Sequence, residues 1–217
     1  MTGTRPPFEF DPAAMPMAYD AVESHDDLVA WSRAYARHVV TSGVDVSLDL
    51  VDWRVSTRAK RRAAAVRRPR IPDTAVGTPI DWADAVERFG DGYAADRDRE
   101  PADLRRCTVV LTWGAYESFD RVEWAETLRH ELVHVEQFQS FGTTDHGRLF
   151  ERRARDLSAS LHCRHFSTPR YLVTCTDCEA VVARRFRDCK LVRQPERHRS
   201  RCCGAPVESS RNPEFEG

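Results

Sequence analysis

Apolar residues recur at helical spacing in two stretches of the chain. The first stretch begins near Ser24 and ends before Gly43, and its apolar positions are three or four residues apart. The second covers residues 119–141, with Asp120 near its start and Gly142 directly after its end. Aspartate is a favourable N-cap and glycine a favourable helix stop, so this second pattern predicts a capped, partly buried helix.

Shorter patterns predict strands and further helices. Residues 44–55 alternate between apolar and polar side chains, as a half-buried strand does. Cys107–Thr112 is a nearly continuous apolar run and predicts a buried strand with the cysteine in the core. Helical spacing predicts a short helix at residues 81–89 and another at about 145–161. This mixture of helices and strands predicts an α+β fold.

The same patterns divide the chain into four parts. Residues 1–20 are proline-rich and predict a flexible leader. Most of the predicted helices and strands lie in residues 21–168, where residues 71–106 mix proline, glycine and aspartate and predict an insertion. Residues 169–208 alternate short apolar and basic stretches between cysteines and predict a small separate domain. Residues 209–217 are expected to be a flexible tail.

The composition is typical of a globular protein, with 41% hydrophobic and 31% charged residues. No stretch approaches the ~20 consecutive apolar residues that cross a bilayer, and residues 1–19 contain no apolar run of a secretory signal. We therefore expect a cytoplasmic protein without a membrane partner. In that compartment, the seven cysteines, four of them in two close groups near the C-terminus, indicate metal binding rather than disulfides.

The clearest chemical motif is H-E-x-x-H, formed by His130, Glu131 and His134 within the predicted helix. Histidines four residues apart project from one helix face, so both rings can bind one metal ion. Glu131 lies between them, where its carboxylate can contact a metal-bound water. Zinc lowers the pKa of such a water, and the carboxylate accepts its proton and passes one to the leaving amine. The motif therefore predicts a zinc metallopeptidase.

A third ligand is expected after the helix end at Gly142. The metzincin spacing would require a histidine where this chain has Ser140. The next histidine is His146, at the head of the next predicted helix, and reversal of the chain could return it to the metal. We favour His146 as the ligand. Glu151 is the first alternative, since some zincins take a glutamate from the following helix, and Asp145 is the second.

The C-terminal cysteines predict a second zinc site of a structural kind. Cys175 and Cys178 form a C-x-x-C pair, and His198 and Cys203 form another pair about 20 residues later. Four protein ligands in two pairs are typical of a zinc ribbon and leave no open position for a substrate. Cys202 could replace Cys203, but we do not expect both to bind, because adjacent side chains point in different directions.

Other cysteines and histidines have weaker patterns. Cys189 lies between the two pairs and could replace His198. His162, Cys163 and His165 form a further group, but its spacing matches no familiar set of ligands. We interpret this group as structural residues in the link between the two domains.

Taken together, these motifs resemble the SprT-like zinc metallopeptidases, the Spartan-related family. The resemblance covers roughly residues 22–208, and the order of the motifs is more specific than any one of them. The motifs are E-T-L at 126–128, H-E-L-V-H at 130–134, H-G-x-x-F at 146–150 and the two cysteine pairs.

The resemblance implies both a fold and an activity. The fold would be a compact zincin-like core, with His130, His134 and His146 as ligands of a catalytic zinc, followed by a zinc ribbon with its own zinc. Glu131 would be the catalytic residue. The activity would be DNA-stimulated cleavage of proteins trapped on DNA, so the implied partners are a protein substrate and single-stranded or crosslinked DNA.

The distribution of charge adds separate support for a DNA partner. The net charge is only −1, but residues 170–201 contain nine basic residues against four acidic ones, and residues 58–70 are also rich in arginine. Guanidinium groups bind phosphates through paired hydrogen bonds. The residues that we expect to contact nucleic acid are Arg58, Arg61, Arg62, Arg184 and Arg185.

Two other functions are compatible with the motifs. A transcription-associated zinc-ribbon protein could bind nucleic acid and carry an inactive core, and a general cytoplasmic peptidase would act without DNA. Glu131 favours an active enzyme, because a pure binding protein needs no carboxylate at that position. The candidates for stabilising an oxyanion, chosen by their proximity to the motif, are Tyr116, Arg129 and Arg153.

Overall fold

The computed structural model describes residues 14–95, 99–162 and 166–215. The chain divides into two compact units, Met1–Arg164 and His165–Gly217. The described residues contain α-helices and two three-stranded sheets, which confirms the α+β class. Among the helices in this part of the chain, none combines the length and the apolar character needed to cross a membrane.

The described residues of the first unit contain five α-helices and three strands. These are α1 (His25–Thr41), β1 (Val51–Ser56), β2 (Ala64–Arg67), α2 (Trp82–Ala95), β3 (Cys107–Thr112), α3 (Trp113–Tyr116), α4 (Arg121–Phe141) and α5 (Arg148–Asp156). The second unit contains β4 (Tyr171–Cys175), β5 (Val181–Arg185), the one-turn helix α6 (Lys190–Arg193) and β6 (Val207–Arg211). Its sheet is antiparallel, with β4 between β5 and β6.

β3 is the central strand of the first sheet because its apolar residues are suited to burial. Val109 and Leu111 are fully buried. β1 runs parallel to β3, with Val51 opposite Cys107, and β2 runs antiparallel, with Ala64 opposite Leu111. The strand order is therefore β1-β3-β2, which makes β2 an edge strand. One row of backbone N–H and C=O groups along β2 thus has no partner within the sheet.

α4 is the central helix of the first unit and confirms the prediction from its caps. The Asp120 carboxylate accepts a hydrogen bond from the backbone N–H of Glu123, and the Glu123 carboxylate accepts one from the backbone N–H of Asp120. At the other end, Gly142 has a φ of 70°, a left-handed conformation that glycine adopts without strain. The helix packs against α1, α5, β2 and β3, so most of its side chains are buried.

The segment that the sequence marks as an insertion packs on the C-terminal end of α4. The backbone N–H of Ile80 donates to the carbonyl of Ser140 at 3.0 Å, and the Trp82 indole donates to the carbonyl of Gln139 at 2.7 Å. The Trp82 ring also meets Phe138 edge to face, with centroids 5.4 Å apart. These contacts cover the end of α4 at which the chain enters the loop before α5.

The structure changes several predicted boundaries. β1 begins at Val51, and a 3-10 turn precedes it where the sequence predicts a strand. α2 is longer than predicted because it continues to Ala95. α5 is shorter than the predicted helix because Asp145 and Gly147 belong to the loop before it. The Asp145 carboxylate accepts a hydrogen bond from the backbone N–H of Gly147 at 2.9 Å, and such local bonds compete with helix formation.

The predicted leader and tail also differ from the structure. Residues 1–13 lie outside the described residues, but Tyr19 packs against Trp31 and Tyr116, with ring centroids 5.2 and 5.0 Å apart. Residues 209–211 of the predicted tail belong to β6, which pairs with β4. The described part of the leader and the first residues of the tail both depend on contacts with residues distant in sequence. Local composition cannot predict such contacts.

Candidate functional site

Three imidazole groups converge at one point of the first unit. His130 and His134 project from α4 one turn apart, and His146 projects from the loop between Gly142 and α5. Nε2 of His146 is 3.1 Å from Nε2 of His134 and 3.4 Å from Nε2 of His130. Nitrogen ligands around a tetrahedral zinc ion, with bonds of about 2.05 Å, are about 3.3 Å apart. The three nitrogens could therefore hold a metal ion, and the arrangement is compatible with zinc.

Hydrogen bonds at the far nitrogen orient two of these rings. Nδ1 of His130 is 2.7 Å from the carbonyl oxygen of Ser160, and Nδ1 of His134 is 3.2 Å from Oε1 of Gln137. Both partners are acceptors, so each Nδ1–H donates and each Nε2 keeps a lone pair for a metal. Burial lowers the pKa of His130 and lowers that of His134 to about 4, which keeps both rings neutral.

Gln137 joins α4 to the loop that carries His146. Its Oε1 accepts a hydrogen bond from the backbone N–H of Asp145 at 3.3 Å, and its Nε2 donates to the Asp145 carboxylate at 3.4 Å. The loop that carries His146 is thus held against α4, the helix that carries His130 and His134. Gln137 was not among the predicted site residues. Its position three residues after His134, on the same helix face, is the signal that could have found it.

We expect Gln137→Ala to lower the zinc affinity of the three-histidine group by about 10- to 100-fold, the usual effect of losing a partner behind a metal ligand. The measurement is competition for zinc with a chromophoric chelator. Gln139→Ala is the matched control, because among the described residues this side chain bonds only to the backbone of Ser47. Equal affinities in the two variants would contradict the role of Gln137.

Phe150 forms the floor beneath the three histidines. Its buried ring stacks on His134, with centroids 4.6 Å apart, and meets His130 and His146 edge to face at 4.9 and 4.6 Å. These contacts restrict rotation of the imidazoles and exclude water from one side of them. The pattern H-G-x-x-F therefore has a packing explanation, because the first turn of α5 places Phe150 under the ligands.

The histidines line an open cleft of about 560 Å³, here called the histidine cleft. β2 forms one wall and Glu131 lies buried at its base. Burial raises the pKa of the Glu131 carboxyl to about 8, whereas a hydrogen bond from the backbone N–H of Val66 and the charge of Arg62 lower it. A divalent cation held by the histidines would also favour the carboxylate form.

The geometry favours His146 over the two carboxylates as the third donor. Glu151 forms an ion pair with Arg155 at 3.2 Å, and Asp145 accepts the backbone hydrogen bond of Gly147. Within the described part of the chain, neither carboxylate belongs to the group of atoms close enough to share one ion.

The three residues considered for oxyanion stabilisation have other partners. Tyr116 donates its hydroxyl hydrogen to backbone carbonyls of the N-terminal segment. Arg129 donates to the carbonyl of Ser158, and Arg153 binds the carboxylate of Glu136 at 2.7 Å. All three are described residues, and none of them lines the histidine cleft. Proximity in sequence was a poor guide, because it does not show which side chains reach the cleft in the folded chain.

The second unit brings four thiol groups together. The Sγ atoms of Cys175, Cys178, Cys202 and Cys203 all lie within 4.8 Å of one another. The Sγ atoms of Cys178 and Cys202 are 3.5 Å apart, close to the roughly 3.8 Å between thiolates around tetrahedral zinc with 2.3 Å bonds. The group is therefore compatible with zinc. Cys189, a described residue, does not belong to it.

The structure corrects the predicted thiol site at one position. Among the described residues, Cys202 joins Cys203 in the group and His198 does not. We expected adjacent cysteines to point in different directions, as they would in a strand. They lie instead in a tight turn, in which the backbone N–H of Gly204 donates to the carbonyl of Ser200 at 3.1 Å. The turn directs both thiols to one side.

The arginines expected to contact nucleic acid lie in two places. Arg58, Arg61 and Arg62 belong to the loop between β1 and β2, where they are exposed and form no ion pair with the described residues. Arg62 also lines the histidine cleft. Arg184 and Arg185 belong to β5, and the second of them donates a hydrogen bond to the carbonyl of the first.

Comparisons with protein-family models, curated proteins and solved structures found no match for this chain. The fold and its side chains define an α+β protein with two candidate metal sites, one open to a cleft and one built from four thiols. The resemblance to the SprT-like family remains a prediction from the motifs.

Proposed function

We propose that this chain is a zinc-dependent metallopeptidase, with a zincin-like core and a C-terminal zinc ribbon, that acts on proteins bound or crosslinked to DNA. The observation that carries the proposal is the convergence of three Nε2 atoms beside the buried Glu131 carboxylate in an open cleft. Three protein ligands leave a coordination position for water or substrate, which is the arrangement of catalytic zinc. The four-thiol group leaves no such position and suits a structural zinc.

Glu131 has the surroundings of a general base. A zinc ion held by the three histidines would supply Lewis acidity, which acidifies water and polarises a peptide carbonyl. Glu131 takes a proton from the water while the water oxygen attacks the carbonyl carbon. It then passes a proton to the leaving amine as the C–N bond breaks. The hydrogen bond from Val66 supports this role, because it holds the carboxylate at the base of the cleft.

The edge strand β2 supplies a surface for an extended peptide. The backbone N–H of Thr112 donates to the carbonyl of Ala63 at 2.9 Å, so Ala63 faces β3. Because backbone direction alternates along a strand, Ala64 and Val66 direct their N–H and C=O groups away from β3. Both residues line the histidine cleft. Because the N–H of Val66 donates to Glu131, a substrate chain would pair through Ala64 and the carbonyl of Val66, and it would lie across the candidate metal site.

The arginine-rich loop before β2 supports the DNA part of the proposal. Arg58, Arg61 and Arg62 place three exposed guanidinium groups within five residues, none of them in an ion pair with a described residue, and this loop leads directly into the strand that lines the cleft. DNA held there would bring a protein attached to it close to the metal site. Guanidinium groups suit phosphate oxygens because they can donate two parallel hydrogen bonds.

The test is cleavage of a protein crosslinked to a single-stranded oligonucleotide by zinc-loaded enzyme, with and without added single-stranded DNA. We expect cleavage that requires DNA and that Glu131→Gln abolishes. Cleavage indifferent to DNA would contradict the DNA part of the proposal and favour a general peptidase. DNA binding without cleavage, under any metal condition, would contradict the peptidase and favour a nucleic-acid-binding protein.

The arginine loop can be tested in the same assay. We expect Arg58→Ala combined with Arg61→Ala to weaken DNA binding about tenfold at low salt, and to reduce its salt dependence, because two phosphate contacts are lost. Arg33→Ala combined with Arg37→Ala is the matched control, since both residues are exposed on α1 and the charge change is the same. Equal losses in the two double variants would mean that only the net charge matters.

A further inference from the structure

His162 lies in the wall of the histidine cleft, beside the first metal-binding histidine. Its exposed side chain lines this cleft and also a smaller cavity of about 130 Å³, and His130 is part of both walls. Burial is the main cause of the lowered pKa of His130, and the nearby His162 makes a smaller contribution in the same direction. His162 does not belong to the three-histidine donor group, and no described residue forms a hydrogen bond with its imidazole. The exposed ring therefore lies at the wall that a molecule bound in the cleft would contact.

The turn that carries His162 is fixed to α4 at two consecutive residues. Arg129 donates two hydrogen bonds to the carbonyl of Ser158, at 3.2 and 2.7 Å, and His130 donates one to the carbonyl of Ser160. The Ser160 hydroxyl then donates to the carbonyl of His162 at 2.6 Å. The same helix thus positions His130 and, through this turn, the imidazole of His162 beside it.

The other polar donors in the cleft wall have different surroundings. Arg62 acts on Glu131, because its charge lowers the pKa of that carboxyl. The Thr144 hydroxyl accepts a hydrogen bond from Nε of Arg68 at 3.2 Å, and Thr144 belongs to the loop that carries His146. His162 differs from both. It lies beside His130, and its imidazole forms no hydrogen bond with a described residue.

We propose that His162 is a catalytic residue that donates an imidazole N–H to the substrate oxygen that becomes negatively charged during peptide hydrolysis. This inference rests on the peptidase function proposed above. When the water oxygen bonds to the carbonyl carbon, the π electrons of C=O move to the carbonyl oxygen, and Glu131 holds the water proton. The hydrogen bond from His162 stabilises this oxyanion until the C–N bond breaks and the proton goes to the amine.

The test compares His162→Ala with His25→Ala, the same substitution at an exposed histidine of α1 that does not line the cleft. We expect His162→Ala to lower kcat about 100-fold while KM changes by less than about twofold, because the hydrogen bond forms only in the transition state. His162→Gln keeps an N–H donor and should lose only about tenfold. His25→Ala should keep kcat within about threefold.

A second readout does not depend on turnover. A phosphinic peptide mimics the tetrahedral oxyanion, so its Kd, measured by calorimetry on zinc-loaded protein, should rise about 100-fold in His162→Ala and little in His25→Ala. If wild type cleaves peptides but the two alanine variants behave alike, the role of His162 is overturned and the peptidase stands. If wild type neither cleaves peptides nor binds the phosphinic peptide, the proposed function fails and this inference with it.

Discussion

Glu131→Gln is expected to lower kcat for peptide cleavage by between about 10² and 10⁴, the range that a general base contributes. Glutamine has nearly the same shape, and its amide oxygen can still accept the hydrogen bond from Val66. It cannot accept the proton of the attacking water at neutral pH. The protein should therefore fold, bind two zinc ions per chain and bind the phosphinic peptide, while turnover is lost.

The control for this experiment is Glu136→Gln, the same substitution in the same helix. Glu136 forms an ion pair with Arg153 and does not line the histidine cleft, although both are described residues. Its replacement should cost some stability and leave kcat within about threefold. Activity of Glu131→Gln equal to that of Glu136→Gln would show that this carboxylate is not the base.

Cys202→Ser is expected to remove the zinc of the four-thiol group and to unfold the second unit, whereas His198→Ala should do neither. Structural zinc in small domains contributes roughly 10–16 kcal/mol of binding free energy, most of which serves folding, so the loss of one of four thiolates has a large effect. The sheet of this unit has only three short strands, and β5 is mostly exposed. The apolar core of this unit is therefore too small to keep it folded without the metal.

The measurement for this site uses the full chain, with zinc content and limited proteolysis as readouts. Wild type should carry two zinc ions, Cys202→Ser one, and His198→Ala two. Proteolysis of Cys202→Ser should begin within residues 165–217 and leave the first unit intact. The opposite pattern, with zinc lost in His198→Ala and kept in Cys202→Ser, would restore the ligand set that the sequence predicts.

Local signals predicted the elements that carry the first candidate metal site. α4 was predicted from Asp120 and Gly142, because both caps act on neighbouring residues. The positions of His130 and His134 followed from helix periodicity alone. β3 was predicted because a buried strand has a continuous apolar run. In each case the physical cause lies within one helix turn or one strand, so the printed sequence contains it.

Other parts of the site depend on contacts between distant residues. β2 is only four residues long and lies in an arginine-rich segment, so no periodicity reveals it, yet it forms one wall of the cleft. Gln137 matters because the loop after Gly142 folds back onto it. His162 was interpreted as a structural residue of the link, because spacing does not show that Arg129 and His130 hold its turn beside the cleft.

Residue types and short spacings were enough to identify the α+β class, the H-E-x-x-H helix and the cysteine-containing unit. Which donors gather around each candidate metal site required the folded chain. Spacing left His146 in competition with two carboxylates, and it favoured His198 where the tight turn selects Cys202. The physical reason is that metal ligation depends on distances of a few ångströms between side chains, and chain reversals set those distances.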